Sequence, residues 1–326
     1  MISKQLYREF CRKEKNIPIY SKDWWMDAVC GENNWDVILI KDKGGNIIAS
    51  MPFYIREKFG LKIITQPLLT QSNGIFIKYP ERQILPDKIA YEKRIIYEVD
   101  QSLRKLHIDY YNQNHHYSFF NWQPFYWKGY KETVKYTYLI KDTDDIEKVF
   151  NNINKRKKQY IKRSEGIYHV YQTSDIEKFY ELNKRVFEKK RLKIPYSFDF
   201  IKRLDKKLAD HENRAIFCID GKRGDLSYMI YLVFDDISSY LLMSGRSMDD
   251  NDPNIKSIAV WEAIKFSASK KLRFDFEGSM VEGIADFFRQ FGAEPVPYHN
   301  ISKAFSAKGC LARAFTHVYH KIKDIE

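Results

Sequence analysis

Residues 273–303 read RFDFEGSMVEGIADFFRQFGAEPVPYHNISK, and this stretch decides the fold. Its first residues alternate between phenylalanine and acid, which predicts a short strand with Asp275 and Glu277 on the face opposite the phenylalanines. Gly278 ends the strand, so Glu277 lies at a carboxyl end, where open α/β sheets bind ligands. A carboxylate at that edge suits a substrate that carries an amine.

A short helix is predicted over 284–290, and it ends at Phe291-Gly292 with glycine as the left-handed C-cap. Arg289 on this helix could reach the same edge as Glu277 and bind an acidic group. The alternative is that Asp275 and Glu277 only pair with neighbouring Lys or Arg side chains.

This stretch closes the second of two halves that share one plan. Each half has a hairpin and a third strand, predicted at 36–41, 47–55 and 62–66 and again at 215–219, 226–234 and 240–244. Helices follow from residue 86 and over 255–270, then aromatic strands at 118–123 and 273–278, and last strands at 136–140 and 298–301. The pattern predicts two copies of one α/β unit, each a mixed central sheet flanked by helices.

An apolar stripe marks the helix that begins near residue 86. It consists of Ile89, Ile96, Val99, Leu103 and Leu106. This spacing is typical of an amphipathic helix, so we expect the whole stripe to face the core.

Two domains are therefore expected, 1–143 and 144–326. The second begins with a basic linking helix (144–166) and ends with a helix over 304–321. The linking helix contains NKRKKQYIKRS, in which Lys155, Arg156, Lys158 and Lys162 could contact tRNA or other phosphates. The alternative is a solvated helix between domains, which is the commoner fate of charge runs.

Composition argues against a disordered chain and against a membrane-spanning protein. The 326 residues are 44% hydrophobic and 16% aromatic, which is typical of a globular chain. The net charge of +12 favours an anionic partner such as a phosphorylated substrate, RNA or an acidic membrane surface. No apolar run approaches the ~20 residues of a spanning helix, and no signal peptide is visible, so we expect a cytoplasmic protein with peripheral membrane contact at most.

Catalytic and metal-binding signatures are absent from the sequence. There is no P-loop, GxGxxG, GxSxG or HExxH motif, and the four cysteines form no CxxC pair. We therefore expect neither a metal site nor a resident cofactor.

FDFEGS at 274–279, FFRQFGA at 287–293 and PYHNISK at 297–303 resemble the C-terminal signature of the Fem-type branch of the GNAT superfamily. YLLMSGRS with IKSIAVWEAIKFSASK, ITQPLLTQSNGIF and the basic helix resemble the other parts of these tandem-GNAT proteins. The resemblance implies a transferase that moves an acyl or aminoacyl group onto an amine. In the bridge-forming members the donor is aminoacyl-tRNA and the acceptor is a peptidoglycan precursor.

Two departures from the Fem pattern keep alternatives open. Phe288 stands where many Fem-like sequences have a lysine, so a non-catalytic binding protein with this fold is one alternative. A second alternative is a GNAT N-acetyltransferase that uses acetyl-CoA. The turn after Arg246 counts against it, because this turn lacks glycine and contains Asp249, Asp250 and Asp252, a poor nest for a pyrophosphate.

Candidate site residues follow from the strand end and the resemblance. Glu277 would orient or deprotonate the acceptor amine, and Arg289 and Arg246 would bind anionic groups. Lys256 and Ser257 would hold phosphate at a helix start. We expect the hydroxyl groups of Ser279 and Tyr298 to contact the substrate. The expected partners are a small-molecule or envelope-precursor acceptor and an aminoacyl-tRNA or acyl-CoA donor.

Overall fold

The computed structural model describes residues 2–58, 60–248, 252 and 254–311. The chain divides into two compact units: unit 1 holds the residues up to Lys135 and those from Pro297 onward, and unit 2 is Tyr136–Val296. The sequence placed the boundary after residue 143 and kept the chain end in the second domain. The difference at the end arises because Asn300–Ala304 pair antiparallel with a strand of unit 1.

Unit 1 is a mixed sheet with helices packed against it. Its elements are α1 (Ile2–Lys13), α2 (Asp23–Cys30), β1 (Trp35–Lys41), β2 (Ile47–Lys58), β3 (Leu61–Thr65), β4 (Phe76–Ile77), α3 (Leu85–Lys105), β5 (Tyr110–Asn114) and α4 (Gln123–Trp127). The strand β6 (Lys131–Ile140) leads into unit 2. Within unit 1 the strands lie in the order β1-β2-β3-β5, where only β3 and β5 are parallel.

Unit 2 repeats the mixed sheet. Its elements are α5 (Ile146–Asn152), α6 (Lys155–Ser164), β7 (Val170–Thr173), α7 (Ile176–Lys189), α8 (Phe198–Asp210), β8 (Arg214–Asp220), β9 (Leu226–Phe234), β10 (Ser238–Arg246), α9 (Ile255–Ser269), β11 (Arg273–Asp275), α10 (Glu282–Arg289) and β12 (Glu294–Ala304), whose end belongs to unit 1. The strands lie in the order β6-β11-β10-β9-β8-β7, and β10 and β11 are parallel.

Both units therefore contain the same element: an antiparallel hairpin, a third strand, a crossover helix and a fourth strand parallel to the third. In unit 1 this is β1-β2-β3-α3-β5, and in unit 2 it is β8-β9-β10-α9-β11. A parallel pair needs such a crossover, and a helix supplies it. The prediction of two copies of one α/β unit is confirmed.

Each crossover helix packs its apolar side onto its own sheet. In α3 the core face is Ile95, Ile96, Val99 and Leu103, at helical spacing. Ile89 of the predicted stripe is an exception, because it is exposed. Helix α9 is buried on nearly every side, which makes it the centre of unit 2.

One predicted strand is wrong. Residues 118–123 form no strand, and the pairing position is taken by β5, which the sequence pattern did not single out. Pro124 lies in the first turn of α4 and suits a helix start better than a strand end. The sequence did not indicate β5 because its polar residues do not look like those of a buried strand. In the structure Gln113 of this strand is buried, and its amide donates to the Pro52 carbonyl at 2.7 Å.

The predicted linking helix is two helices. The side chain of Asp145 caps α5 by accepting from the Lys148 N–H, and that of Asn154 caps α6 by accepting from the Arg156 N–H. Two such caps in one basic segment mark two helix starts. At the chain end, residues 307–311 are helical, and the rest of the predicted helix over 304–321 lies outside the described residues. No helix in the described part of the chain is both long and apolar enough to cross a membrane.

Candidate functional site at the end of strand β11

Strand β11 ends in a left-handed turn that places the candidate carboxylate. It lies between β10 and β6, so that Asp275 is fully buried. The next residues, Glu277 and Gly278, both have positive φ, at 64° and 69°. A Cβ at Gly278 would collide with the Tyr136 carbonyl oxygen, so only glycine fits there. A left-handed glutamate is uncommon and strained, and such residues cluster at functional sites.

Two carboxyl groups meet at this turn with unsatisfied oxygens. Oδ1 of Asp275 accepts hydrogen bonds from the Thr137 hydroxyl and from the Glu277 N–H. Its second oxygen, Oδ2, is buried without a hydrogen-bond partner, and so is Oε1 of Glu277. Buried polar atoms are nearly always paired in folded proteins, so two such atoms at one strand end indicate a place for a ligand.

Burial changes the protonation of both acids. It raises the pKa of Asp275 to about 7, although the Thr137 hydroxyl and the Glu277 N–H lower it, and the charge of Asp235 adds to the rise. Burial alone raises the pKa of Glu277 well above its usual range. A carboxyl shifted in this way is protonated near neutral pH until a cation arrives beside it.

A pair of lysines forms a second feature of unit 2. Lys157 of α6 donates to the Ser257 hydroxyl oxygen at 3.0 Å. Its ammonium lies 4.3 Å from the centre of the Phe287 ring, and the ammonium of Lys256 lies 4.0 Å from the same centre. In the described part of the chain neither lysine forms an ion pair with a carboxylate, and the main causes of their pKa shifts are burial and, for Lys256, neighbouring lysines.

The charges of these lysines are uncompensated. Burial, followed by the charges of Lys157 and Lys190, lowers the pKa of Lys256 to about 8, and burial also lowers the pKa of Lys157. An anion bound between them would remove this penalty. The amino end of α9, where Lys256 lies, favours an anion as well.

One aspartate of the turn after β10 has hydrogen-bond partners in the structure. The Asp252 carboxylate accepts from the hydroxyls of Tyr160 and Tyr168, while Asp249 and Asp250 lie outside the described residues. Beside this turn is a cavity of about 860 Å³ whose lining includes Arg185, Lys222, Lys178 and Arg223. The lining of this cavity, called the cationic wall below, contains more cationic than carboxylate side chains.

The other predicted site residues are placed as follows. Arg246 donates to the Asp252 carbonyl at 2.8 Å and thereby holds this turn. Arg289 is exposed and forms an ion pair with Asp286 of the same helix. The Ser279 hydroxyl accepts from the Val281 N–H, and Tyr298 is buried in unit 1.

The basic residues of α6 mostly face solvent. Lys155, Arg156 and Lys162 are exposed, and Lys158 donates to the Asn151 carbonyl at 3.0 Å. Sequence reasoning missed Lys157 of the same run. Its signal was present, because Lys157 lies four residues before Ile161, which is buried, and so belongs to the inner face of the helix.

Phe288, at the position of the Fem-type lysine, belongs to the core. Its ring lies 4.7 Å from that of Phe276 and 5.7 Å from that of Tyr138. The positive charge that a lysine would bring to this segment is instead found over the neighbouring ring of Phe287, on Lys157 and Lys256.

Known proteins resemble this chain in structure only. No protein-family profile matches the sequence, and no curated protein matches it. FemX superposes with a TM-score of 0.68 at 11% identity, over 92% of this chain and 96% of FemX. The C-terminal domain of a candidate lysylphosphatidylglycerol synthetase from Agrobacterium fabrum gives 0.57 at 10% identity, over 97% and 96%.

A tandem GNAT protein from the clavulanic acid biosynthesis pathway gives a TM-score of 0.50 at 8% identity, over 93% of this chain and 95% of that one. At these identities the likenesses establish the fold alone. The chain has a Fem-like tandem GNAT fold.

Replacing Gly278 by alanine tests the strand-end geometry. We expect Gly278→Ala to lower the free energy of unfolding by about 2–4 kcal/mol, because the Cβ would collide with the Tyr136 carbonyl in addition to the left-handed strain. Gly166→Ala is the matched control, since Gly166 also has positive φ but open space around it. Thermal and urea unfolding of both variants would measure this, and equal destabilisation would contradict the close approach.

Proposed function

We propose that this protein is a Fem-like aminoacyl- or acyltransferase that moves an acyl group onto an amine acceptor. The observation that carries the proposal is the pair of carboxyl groups at the end of β11, Asp275 and Glu277, each of which has one buried oxygen without a hydrogen-bond partner. The Fem-like tandem GNAT fold supports it. An acceptor from the cell envelope, such as a peptidoglycan precursor with a free amine, fits this chemistry best.

The acids suit an amine acceptor on electrostatic grounds. An ammonium that enters beside Glu277 supplies the cation that this carboxyl lacks, and the pair can then exchange a proton. A raised pKa makes Glu277 a better base for an amine than an ordinary carboxylate would be. The Asp275 carboxyl group accepts a hydrogen bond from the Glu277 N–H and so positions the base.

The reaction is the exchange of an ester or thioester for an amide. The amine nitrogen attacks the acyl carbon, a C–N bond forms, and the C–O or C–S bond to the donor breaks. As the ammonium binds, the proton of the Glu277 carboxyl is released to solvent, and the resulting carboxylate takes one proton from the ammonium to give the attacking amine. The second proton lost by the nitrogen goes to the leaving oxygen or sulfur. No metal or redox partner enters this balance, and the positioning of two bound substrates supplies further acceleration.

The lysine pair supports a donor that contains phosphate. Lys157 and Lys256 present uncompensated charge at the start of α9, and the outer face of α6 carries further cations, Lys155, Arg156 and Lys162, that are exposed. Aminoacyl-tRNA fits an extended basic surface best. Acyl-CoA is the second candidate, and the cationic wall beside Asp252 is the observation that favours it.

Glu277→Gln tests the role of the buried acid. We expect amide formation to fall by about 100-fold or more, because the variant cannot accept a proton. The assay would follow, by mass spectrometry, transfer from mixed aminoacyl-tRNAs or from acetyl-CoA to a muramyl pentapeptide that carries a lysine. Circular dichroism would confirm that the variant folds.

Glu282→Gln is the matched control, because Glu282 is an exposed acid in the first turn of α10. It should keep wild-type rates. Full activity of Glu277→Gln would remove this residue from the mechanism. Absence of transfer by the wild type with every donor would favour a non-catalytic binding protein. Phe288, in place of the lysine of many Fem-like sequences, would agree with that outcome.

Lys256→Met tests the donor site. We expect the dissociation constant for uncharged tRNA to rise about tenfold, and the log–log salt slope to fall by about 0.7 for each single-strand phosphate that the variant no longer neutralises. The control is Lys265→Met on the same helix, where Lys265 pairs with Glu262. Unchanged tRNA binding with weakened coenzyme A binding would make acyl-CoA the donor, and unchanged binding of both would remove the lysine pair from the donor site.

A further inference from the structure

The apolar stripe of α3 continues beyond the core of unit 1. Val99 and Leu103 pack inward, but Leu85 and Ile89, which continue the stripe toward the amino end, are exposed, as is the preceding Ile84. No described element covers these aliphatic side chains. The sequence predicted that Ile89 would be buried, whereas the structure leaves it exposed together with its two apolar neighbours.

The segment around α4 adds an aromatic row. Phe119 and Phe125 are buried, whereas Phe120, Tyr126 and Trp127 are exposed. Helices α3 and α4 contact each other, so the aliphatic and aromatic groups belong to one surface. We define the α3–α4 patch as Ile84, Leu85, Ile89, Phe120, Tyr126 and Trp127, each of them 45–65% exposed, with the lysines described next.

Two lysines lie near rings of the patch, and a third lies over the ring of Tyr97 on α3. The Lys88 ammonium is 5.1 Å from the Phe120 ring, and that of Lys93 is 5.3 Å from the Trp127 ring. Lys128 lies 3.8 Å from the ring of Tyr97. The cations therefore stand directly over or beside the apolar groups, and their stems add apolar surface.

Two acidic residues of α3 near the patch, Glu92 and Asp87, are turned away from it. Glu92 is buried, where it accepts from the Tyr79 hydroxyl at 2.8 Å and from the Asn121 amide at 2.7 Å. These bonds also tie the aromatic segment to α3. At 100° per residue, Asp87 lies on the side of α3 opposite Leu85 and Ile89.

We propose that the α3–α4 patch docks unit 1 onto an anionic lipid bilayer. Aromatic rings, aliphatic side chains and lysines in one exposed surface match the interface between acyl chains and negatively charged headgroups. A nucleic acid would stack on the rings but leave the aliphatic side chains unused. A second copy of the chain would bring the same lysines face to face. The net charge of +12 acts in the same direction as the local lysines.

Vesicle binding by the full chain tests the proposal. The probes are vesicles of equal parts phosphatidylglycerol and phosphatidylcholine, and vesicles of phosphatidylcholine alone, in a flotation assay at low and at physiological salt. We expect binding to the anionic vesicles, weakened by salt. Brominated acyl chains should quench part of the tryptophan fluorescence, and Trp127→Phe should remove that part because its ring enters the bilayer.

Two kinds of variant distinguish insertion of aromatic side chains into the bilayer from electrostatic adsorption through lysines. Phe120→Ser with Trp127→Ser should reduce the partition coefficient by at least about tenfold. Lys88→Gln and Lys93→Gln should each reduce it about fivefold, and only for anionic vesicles. The controls are Ile167→Ser with Leu192→Ser, both exposed apolar residues of unit 2, and Lys184→Gln on α7. All variants lie at the surface, and thermal unfolding would verify that they fold.

Several results would overturn the proposal. These are a failure of the wild type to bind anionic vesicles at low salt, and equal binding by the double serine variant. Binding to a single-stranded oligouridine in place of vesicles would assign the patch to nucleic acid. Self-association that the serine variant abolishes, without vesicle binding, would assign it to a second copy.

Discussion

The close approach of the Gly278 backbone to strand β6 is the constraint on which the candidate site depends. The chain leaves β11 in a left-handed turn, and nothing larger than hydrogen fits at Gly278 against the Tyr136 carbonyl. That turn directs Glu277 into the protein and brings its N–H to the Asp275 carboxyl group. Two acids thereby each hold one buried oxygen without a partner, at the edge where open α/β sheets bind ligands.

Unit 2 keeps its two kinds of charge in separate places. The acids at the end of β11 are shifted toward their neutral form, and the lysines over Phe287 are shifted toward theirs. Each shift arises mainly from burial of a group that has no opposite charge beside it. A cationic amine would satisfy the first set, and a phosphate the second. A transferase that joins an acyl group from a phosphate-bearing donor to an amine needs both.

Periodicity predicted the elements that pack by a regular face. The hairpin and third strand of each half, and helices α3 and α9, lie close to where the sequence placed them, and the signature around Glu277 indicated the fold. What could not be predicted depends on tertiary contacts. Strand β5 carries buried amides such as Gln113, Lys157 points inward from a run of outward cations, and Ile89 continues a core stripe into open space.

Carbon-13 NMR of the side-chain carboxyl groups would show directly whether the strand end holds two shifted acids. Spectra of Asp275→Asn and Glu277→Gln would assign the two resonances. Asp275 should titrate near pH 7, and Glu277 should stay protonated well beyond the range of an ordinary glutamate. If both resonances titrate near pH 4, at about the values of exposed carboxyls, the strand end is solvated and the account of the site fails.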